Sequence, residues 1–127
     1  MTGLRGLIMD YAGVLTEGPE MVELARRVRT AGMRTALLTD AAAVPDGCAE
    51  PFDEVVLGAA LGVRKPAPEV FVRVARLLGL RPADCVMVDD MRANVQGARA
   101  AGLVVVRHTD PETTIAEVEI LFDLLPP

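Results

Sequence analysis

Six side chains capable of chemistry recur at similar places in this chain, each shortly after an apolar run. Asp10 follows Gly6-Leu7-Ile8-Met9. Thr39 and Asp40 follow Ala36-Leu37-Leu38. Lys65 comes a short loop after Val55-Val56-Leu57, and Asp89-Asp90 follow Val86-Met87-Val88. Clustered carboxylates repel one another, and a divalent cation relieves the repulsion; an all-oxygen donor set is the preference of Mg2+. A hydroxyl and an ammonium hold phosphate oxygens, and aspartate is a competent nucleophile toward phosphorus through an aspartyl-phosphate. Phosphoryl transfer is mainly positioning and charge neutralisation, which a cation, Lys65 and Thr39 would supply together. Taken singly, each residue has a plainer role: Asp10 as a turn cap, Thr39 as a strand end, Lys65 as a solvated loop lysine, Asp89-Asp90 as a cap before Arg92. Their joint occurrence at successive run ends is what points to a site.

The elements that must position them alternate in type. Short apolar runs bounded by turn signals predict strands buried on both faces at Gly6–Met9, Arg34–Leu38, Glu54–Leu57, Cys85–Val88 and Leu103–Val106. Gly18-Pro19-Glu20 reads as a helix start and Gly32 as its stop, with Met21, Leu24, Ala25 and Val28 as the apolar stripe and Arg26, Arg27 and Arg29 facing water. Residues 40–51 make a weak helix at best, interrupted by Pro45 and Gly47. Residues 58–65 read as a loop or turn. A helix starts at Pro68-Glu69, carries Val70, Phe71, Val74, Leu77 and Leu78, and stops at Gly79. Another runs from Arg92 to Ala101, and Gly97 inside it predicts close packing against the sheet, since glycine there costs about 1 kcal/mol relative to alanine. The signature Thr109-Asp110-Pro111-Glu112 opens a last helix, whose buried face is Ile115, Val118, Phe122 and Leu125. Such alternation predicts a parallel sheet with helices on both faces, and so places the six side chains along its carboxyl edge.

Composition narrows the class. A length of 127 residues suits one domain, here read as 1–127, with enough chain for a core of Val, Leu, Ala, Ile and Met; aromatics are only 3%. A net charge of −5 argues against nucleic acid as a partner. No apolar run approaches the roughly 18 residues of a membrane span, and the first apolar stretch runs straight into Asp10 rather than forming a signal peptide. Cys48 and Cys85 stand apart, which fits a reducing, cytoplasmic setting, with Cys85 as a buried thiol.

With those residues in view, the chain resembles the haloacid dehalogenase (HAD) superfamily along nearly its whole length. Asp10-Tyr11-Ala12-Gly13-Val14-Leu15 is similar to the first motif of that family and Leu37-Leu38-Thr39 to the second. The run from Gly62 to Glu69, with Arg64-Lys65-Pro66, resembles the third. The run from Val86 to Ala98, with Asp89-Asp90 and Asn94, followed by Ala101-Gly102, resembles the fourth. The third and fourth point to the subfamily I branch. The resemblance implies a three-layer α/β/α Rossmann-like core with a five-stranded parallel sheet, and a Mg2+-dependent phosphatase. In that reading Asp10 is the nucleophile. Thr39 and Lys65, with Asp40 beside them, hold the phosphoryl group. Asp10, Asp90, Asp89 and the backbone carbonyl of Ala12 serve the metal, and Asn94 supports its shell.

Two departures from the family pattern bear on activity. Most phosphatases of the family carry an aspartate where this chain has Ala12, and use it as general acid and base, a contribution of roughly 10²–10⁴-fold. Leaving groups of low pKa, such as acyl phosphates or sugar-1-phosphates, suffer least from its loss. The stretch between Asp10 and Thr39 is also too short for the cap domain usual in subfamily I. An uncapped site excludes water poorly, so the resemblance implies a large phosphorylated substrate or a homodimer that covers the site. Against the phosphatase stands a catalytically silent module that binds Mg2+, phosphate or a protein partner. A two-component receiver domain uses similar residues in a different chain order, and dehalogenase chemistry relies on an enclosing cap.

Overall fold

The computed structural model describes residues 3–124. Five parallel strands form one sheet in the order β3-β2-β1-β4-β5: β1 Gly6–Met9, β2 Arg34–Thr39, β3 Glu54–Leu57, β4 Cys85–Asp89 and β5 Val104–Arg107. Helices α1 Pro19–Thr30, α2 Asp46–Ala49, α3 Gly58–Leu61, α4 Pro68–Leu77, α5 Arg92–Ala100 and α6 Pro111–Leu121 connect them, with 3₁₀ turns at Leu15–Glu17 and Pro82–Asp84. This is the α/β Rossmann-like architecture expected from the alternation of elements.

Side chains of a strand point alternately to the two faces of the sheet, and the core divides accordingly. Leu7, Met9, Leu37, Val86 and Val88 meet α1 and α6 through Met21, Leu24, Val28 and Val118. Ile8, Ala36, Leu38, Cys85 and Met87 meet α4 and α5 through Val70, Phe71, Val74 and Ala98. From β1 the chain builds outward to β2 and β3, then crosses to β4 and β5 on the other side. The crevice at the carboxyl ends of β1 and β4 is therefore the topological switch point, where open α/β sheets bind their ligands.

Several local expectations are corrected. The loop or turn expected over residues 58–65 opens with a four-residue helix, Gly58–Leu61, ended by Gly62 at φ +80°, a left-handed C-cap that glycine adopts without strain. The fifth strand runs one residue later than expected. Leu77, at the stripe's edge in the last turn of α4, is 46% exposed, and Ala75 is buried in its place. Arg27 does not face water but reaches Glu119 of α6 at 2.9 Å, half-buried. Gly97 packs not on the sheet but on the loop after Lys65: a Cβ there would overlap the Pro66 carbonyl oxygen. Leu125 lies outside the described residues.

Candidate active site

Asp10 stands one residue past β1, its backbone N–H donating to the carbonyl of Val88 at 3.0 Å. That bond extends the β1–β4 pairing by one step and sets Asp10 beside Asp89, the last residue of β4. Lys65, delivered by the loop before α4, lies between them. Its Nζ donates to Asp10 Oδ1 at 2.6 Å and to Asp89 Oδ2 at 3.0 Å. All three side chains are buried. Asp89 also accepts from the Met91 amide at 3.0 Å and from Asn94 Nδ2 at 3.1 Å. Asn94, in the first turn of α5, thus orients Asp89 from behind.

Asp90 turns the other way. Its carboxylate lies so close over Gly13 that a Cβ there would collide with it, and Gly13 has φ +83°. Both facts require glycine in the turn that follows Asp10. Asp90 Oδ1 is buried with no hydrogen-bond partner, an arrangement that costs free energy unless something else satisfies it. Oxygens of Asp10, Asp89 and Asp90 come within 4.8 Å of one another. Three carboxylates against one ammonium leave two negative charges at the site. The all-oxygen donor set, the orphaned Asp90 oxygen and this residual charge fit a hard divalent cation such as Mg2+.

Burial pushes the Asp10 carboxyl above the usual carboxylate range, and the neighbouring Asp89 charge adds to this. Lys65 and the Tyr11 amide pull it back only in part. Thr39, at the end of β2, is buried, and its Oγ1 accepts from the Ala41 amide at 3.1 Å. Its own O–H hydrogen is left to donate to a ligand. Asp40 is exposed, and its carboxylate lies against Gly58; an anion there suits phosphate binding only through its backbone. Ala12 is exposed and has no side-chain donor.

Sequence reasoning missed His108. It is 3% exposed, one residue past β5, and its backbone N–H donates to the carbonyl of Asp89 at 2.9 Å. The one signal was a lone histidine at the fifth run end, in Arg107-His108-Thr109-Asp110. Two cavities, one at the amino edge beside Arg5, Met33 and Phe122 and one between α1 and α6 beside Glu20 and Ile115, do not include Asp10. No helix among the described residues is long and apolar enough to cross a membrane.

Comparison with known proteins gives a family and a fold. The family model for haloacid dehalogenase-like hydrolases matches residues 7–102. Protein CbbY of Rhodobacter capsulatus is 36% identical over 111 residues, 76% of this chain and 49% of that protein. Glyceraldehyde 3-phosphate phosphatase of Methanopyrus kandleri is 33% identical over 97 residues, 70% of this chain and 42% of that protein. The chain spans about half or less of the length of these curated relatives. An uncharacterized protein from Corynebacterium glutamicum superposes with a TM-score of 0.87 at 34% identity, covering 98% of both chains. A HAD family enzyme from Bacteroides thetaiotaomicron, crystallised with magnesium and inorganic phosphate, matches with a TM-score of 0.65 over 84% of this chain and 94% of that one. At 12% identity, that likeness concerns the fold alone.

Proposed function

The chain belongs to the haloacid dehalogenase-like hydrolases, and from that premise we propose that it is a Mg2+-dependent phosphohydrolase in which Asp10 carries the phosphoryl group. The observation that carries this reading is the Lys65 ammonium bonded to both Asp10 and Asp89, beside a third carboxylate with an unpartnered buried oxygen. Asp10 and Asp90, with the Ala12 carbonyl, would hold the cation, and Asp89 and Asn94 would support them. Bound Mg2+ would neutralise charge on the incoming phosphate.

The chain's own residues do the rest. Lys65 holds one Asp10 oxygen, and the other attacks phosphorus. The new O–P bond forms as the bond to the leaving oxygen breaks, and that oxygen departs with the electron pair. Thr39 donates its free hydroxyl hydrogen to a phosphoryl oxygen, and Lys65 offsets the charge that develops there. Water then attacks phosphorus, releasing inorganic phosphate and restoring the Asp10 carboxylate. The exposed Ala12 has no proton to give, so the substrates served best are those whose leaving group departs unprotonated, acyl phosphates and sugar-1-phosphates among them. The same alanine supports the second reading, a silent module that binds Mg2+ or phosphate.

The test is Mg2+-dependent hydrolysis of acetyl phosphate and of an aryl phosphate by wild type, Asp10→Asn and Ala12→Asp. Wild type is expected to hydrolyse acetyl phosphate, and Asp10→Asn to lose more than roughly 10³-fold, as nucleophile removal does elsewhere. Ala12→Asp is expected to raise the aryl phosphate rate by roughly 10²-fold, the lower end of what a general acid contributes. Turnover in Ala12→Asp but none in wild type would instead favour the silent module.

A further inference from the structure

We infer that His108 is a positioning residue, which fixes the turn after Asp10 against the strand that carries Asp89. The proposal rests on the reading of Asp10, Asp89 and Asp90 as a cation site.

His108 makes two hydrogen bonds and faces one carboxylate. Its backbone N–H holds the Asp89 carbonyl at 2.9 Å. Its Nδ1 meets Thr114 Oγ1, in α6, at 2.6 Å. Its Nε2 is buried without a hydrogen-bond partner and faces Glu17 Oε1 at 3.5 Å. The carboxylate settles the tautomer. A lone pair on Nε2 would face a negative oxygen, so Nε2 carries the hydrogen and the Thr114 hydroxyl donates to Nδ1. A buried ring N–H without a hydrogen-bond partner is costly, and the Glu17 carboxylate at 3.5 Å is the group it faces; its position makes sense if that carboxylate is what it is there to hold.

Glu17 closes the turn that begins at Asp10. Its amide donates to the Val14 carbonyl at 3.1 Å, those of Val14 and Thr16 donate to the Tyr11 carbonyl at 3.2 and 3.3 Å, and the Gly13 amide donates to Thr16 Oγ1 at 2.9 Å. The turn is thus bonded within itself. Val14 and Leu15 anchor it in the core, but apolar contact is non-directional and tolerates sliding. The Glu17–His108 contact adds direction, from a residue already tied to Asp89. Any shift of the turn displaces Gly13 from beneath Asp90 and moves the Ala12 carbonyl, so the pair sets the spacing between the two halves of the site. Partners behind metal ligands typically change affinity 10–100-fold when removed.

The experiment is calorimetric titration of Mg2+ into wild type, Glu17→Ala, Glu17→Gln and His108→Phe, with hydrogen exchange of amides 11–17 in the metal-free proteins. Glu17→Ala and His108→Phe are expected to weaken Mg2+ about tenfold and to speed exchange in the turn. Glu17→Gln loses the same charge but keeps an acceptor oxygen facing Nε2, and is expected to stay within about threefold of wild type, which separates positioning from simple charge. Glu17 is on the surface, so Glu17→Ala remains informative if His108→Phe fails to fold. Wild type that binds Mg2+ with Glu17→Ala indistinguishable from it in affinity and exchange overturns the inference alone. Equal losses in Glu17→Ala and Glu17→Gln overturn it too. Wild type that binds no Mg2+ overturns the cation-site reading, and the inference with it.

Discussion

Lys65 and Arg81 both bridge to aspartates, at opposite edges of the sheet, and their effects on those aspartates have opposite signs. At the carboxyl edge Lys65, 4% exposed, holds Asp10 at 2.6 Å and Asp89 at 3.0 Å, yet the Asp10 carboxyl lies above its ordinary range because burial outweighs the lysine. At the amino edge Arg81, 82% exposed, holds Asp84 at 3.1 Å, and the Asp84 carboxyl lies below its ordinary range because the arginine's hydrogen bonds meet little burial. An exposed ion pair meets little desolvation and is worth little; when a pair is buried, desolvation can exceed the attraction. A folded state that holds the Asp10 proton more tightly than the unfolded chain loses stability as pH rises from the ordinary carboxylate value through the raised one. The carboxyl edge therefore carries charge at a cost to the fold, as sites shaped for chemistry do.

The largest break in that comparison is Lys65→Met. It leaves Asp10 and Asp89 buried without their cation, and loss of one partner of a buried pair costs about 3–5 kcal/mol. Urea unfolding at neutral pH without divalent ions is expected to show that loss, and millimolar Mg2+ to recover part of it. Adding Asp10→Asn should also recover part, because it removes one of the two stranded charges. A Lys65→Met protein as stable as wild type would mean that Lys65 is solvated and the site open to water.

A subtler change reaches the same lysine from behind. In Gly97→Ala the new methyl group meets the Pro66 carbonyl, which is backbone and has little freedom to yield. Overpacking of this kind costs about 1–3 kcal/mol, more than the roughly 1 kcal/mol that alanine gains over glycine within a helix. The net expectation is a lower melting temperature and a displaced Lys65 loop, read as weaker Mg2+ or phosphate binding. A rise in melting temperature would show that helix propensity decides at this position.

The strands were legible because four of the five apolar runs stop at a glycine, an acid or a hydroxyl, and the order of those stops placed Asp10, Lys65 and Asp89 at one edge. What escaped was contact between distant side chains. Gly97 announced a close approach, but nothing in its neighbourhood said that the partner was Pro66 rather than the sheet. Arg27 fell on the polar side of the α1 stripe, and only the packing of α6 brought Glu119 to it. His108 offered only its place after the fifth run, because its partners Glu17 and Thr114 come from two other segments. Asp89 and Asp90 are adjacent in sequence yet diverge, one toward Lys65 and Asn94, the other over Gly13.

The smallest effect belongs to the exposed pair. Arg81 meets Asp84 through Nε and Nη2, at 3.2 and 3.1 Å, and the Arg81 amide adds a weaker bond to the same carboxylate at 3.3 Å. The geometry is good, but exposed pairs are screened by salt and lose side-chain entropy on ordering. Arg81→Ala is therefore expected to lower the melting temperature at pH 7 and low salt only slightly, and not measurably at high salt. A carboxyl lowered in the folded state contributes above its unfolded value and loses that contribution as pH falls through the lowered one. The small advantage of wild type over Arg81→Ala should thus be present at pH 7 and close as the pH falls into the acid range. A clear loss at pH 7, comparable to that of Lys65→Met, would erase the distinction between the two edges.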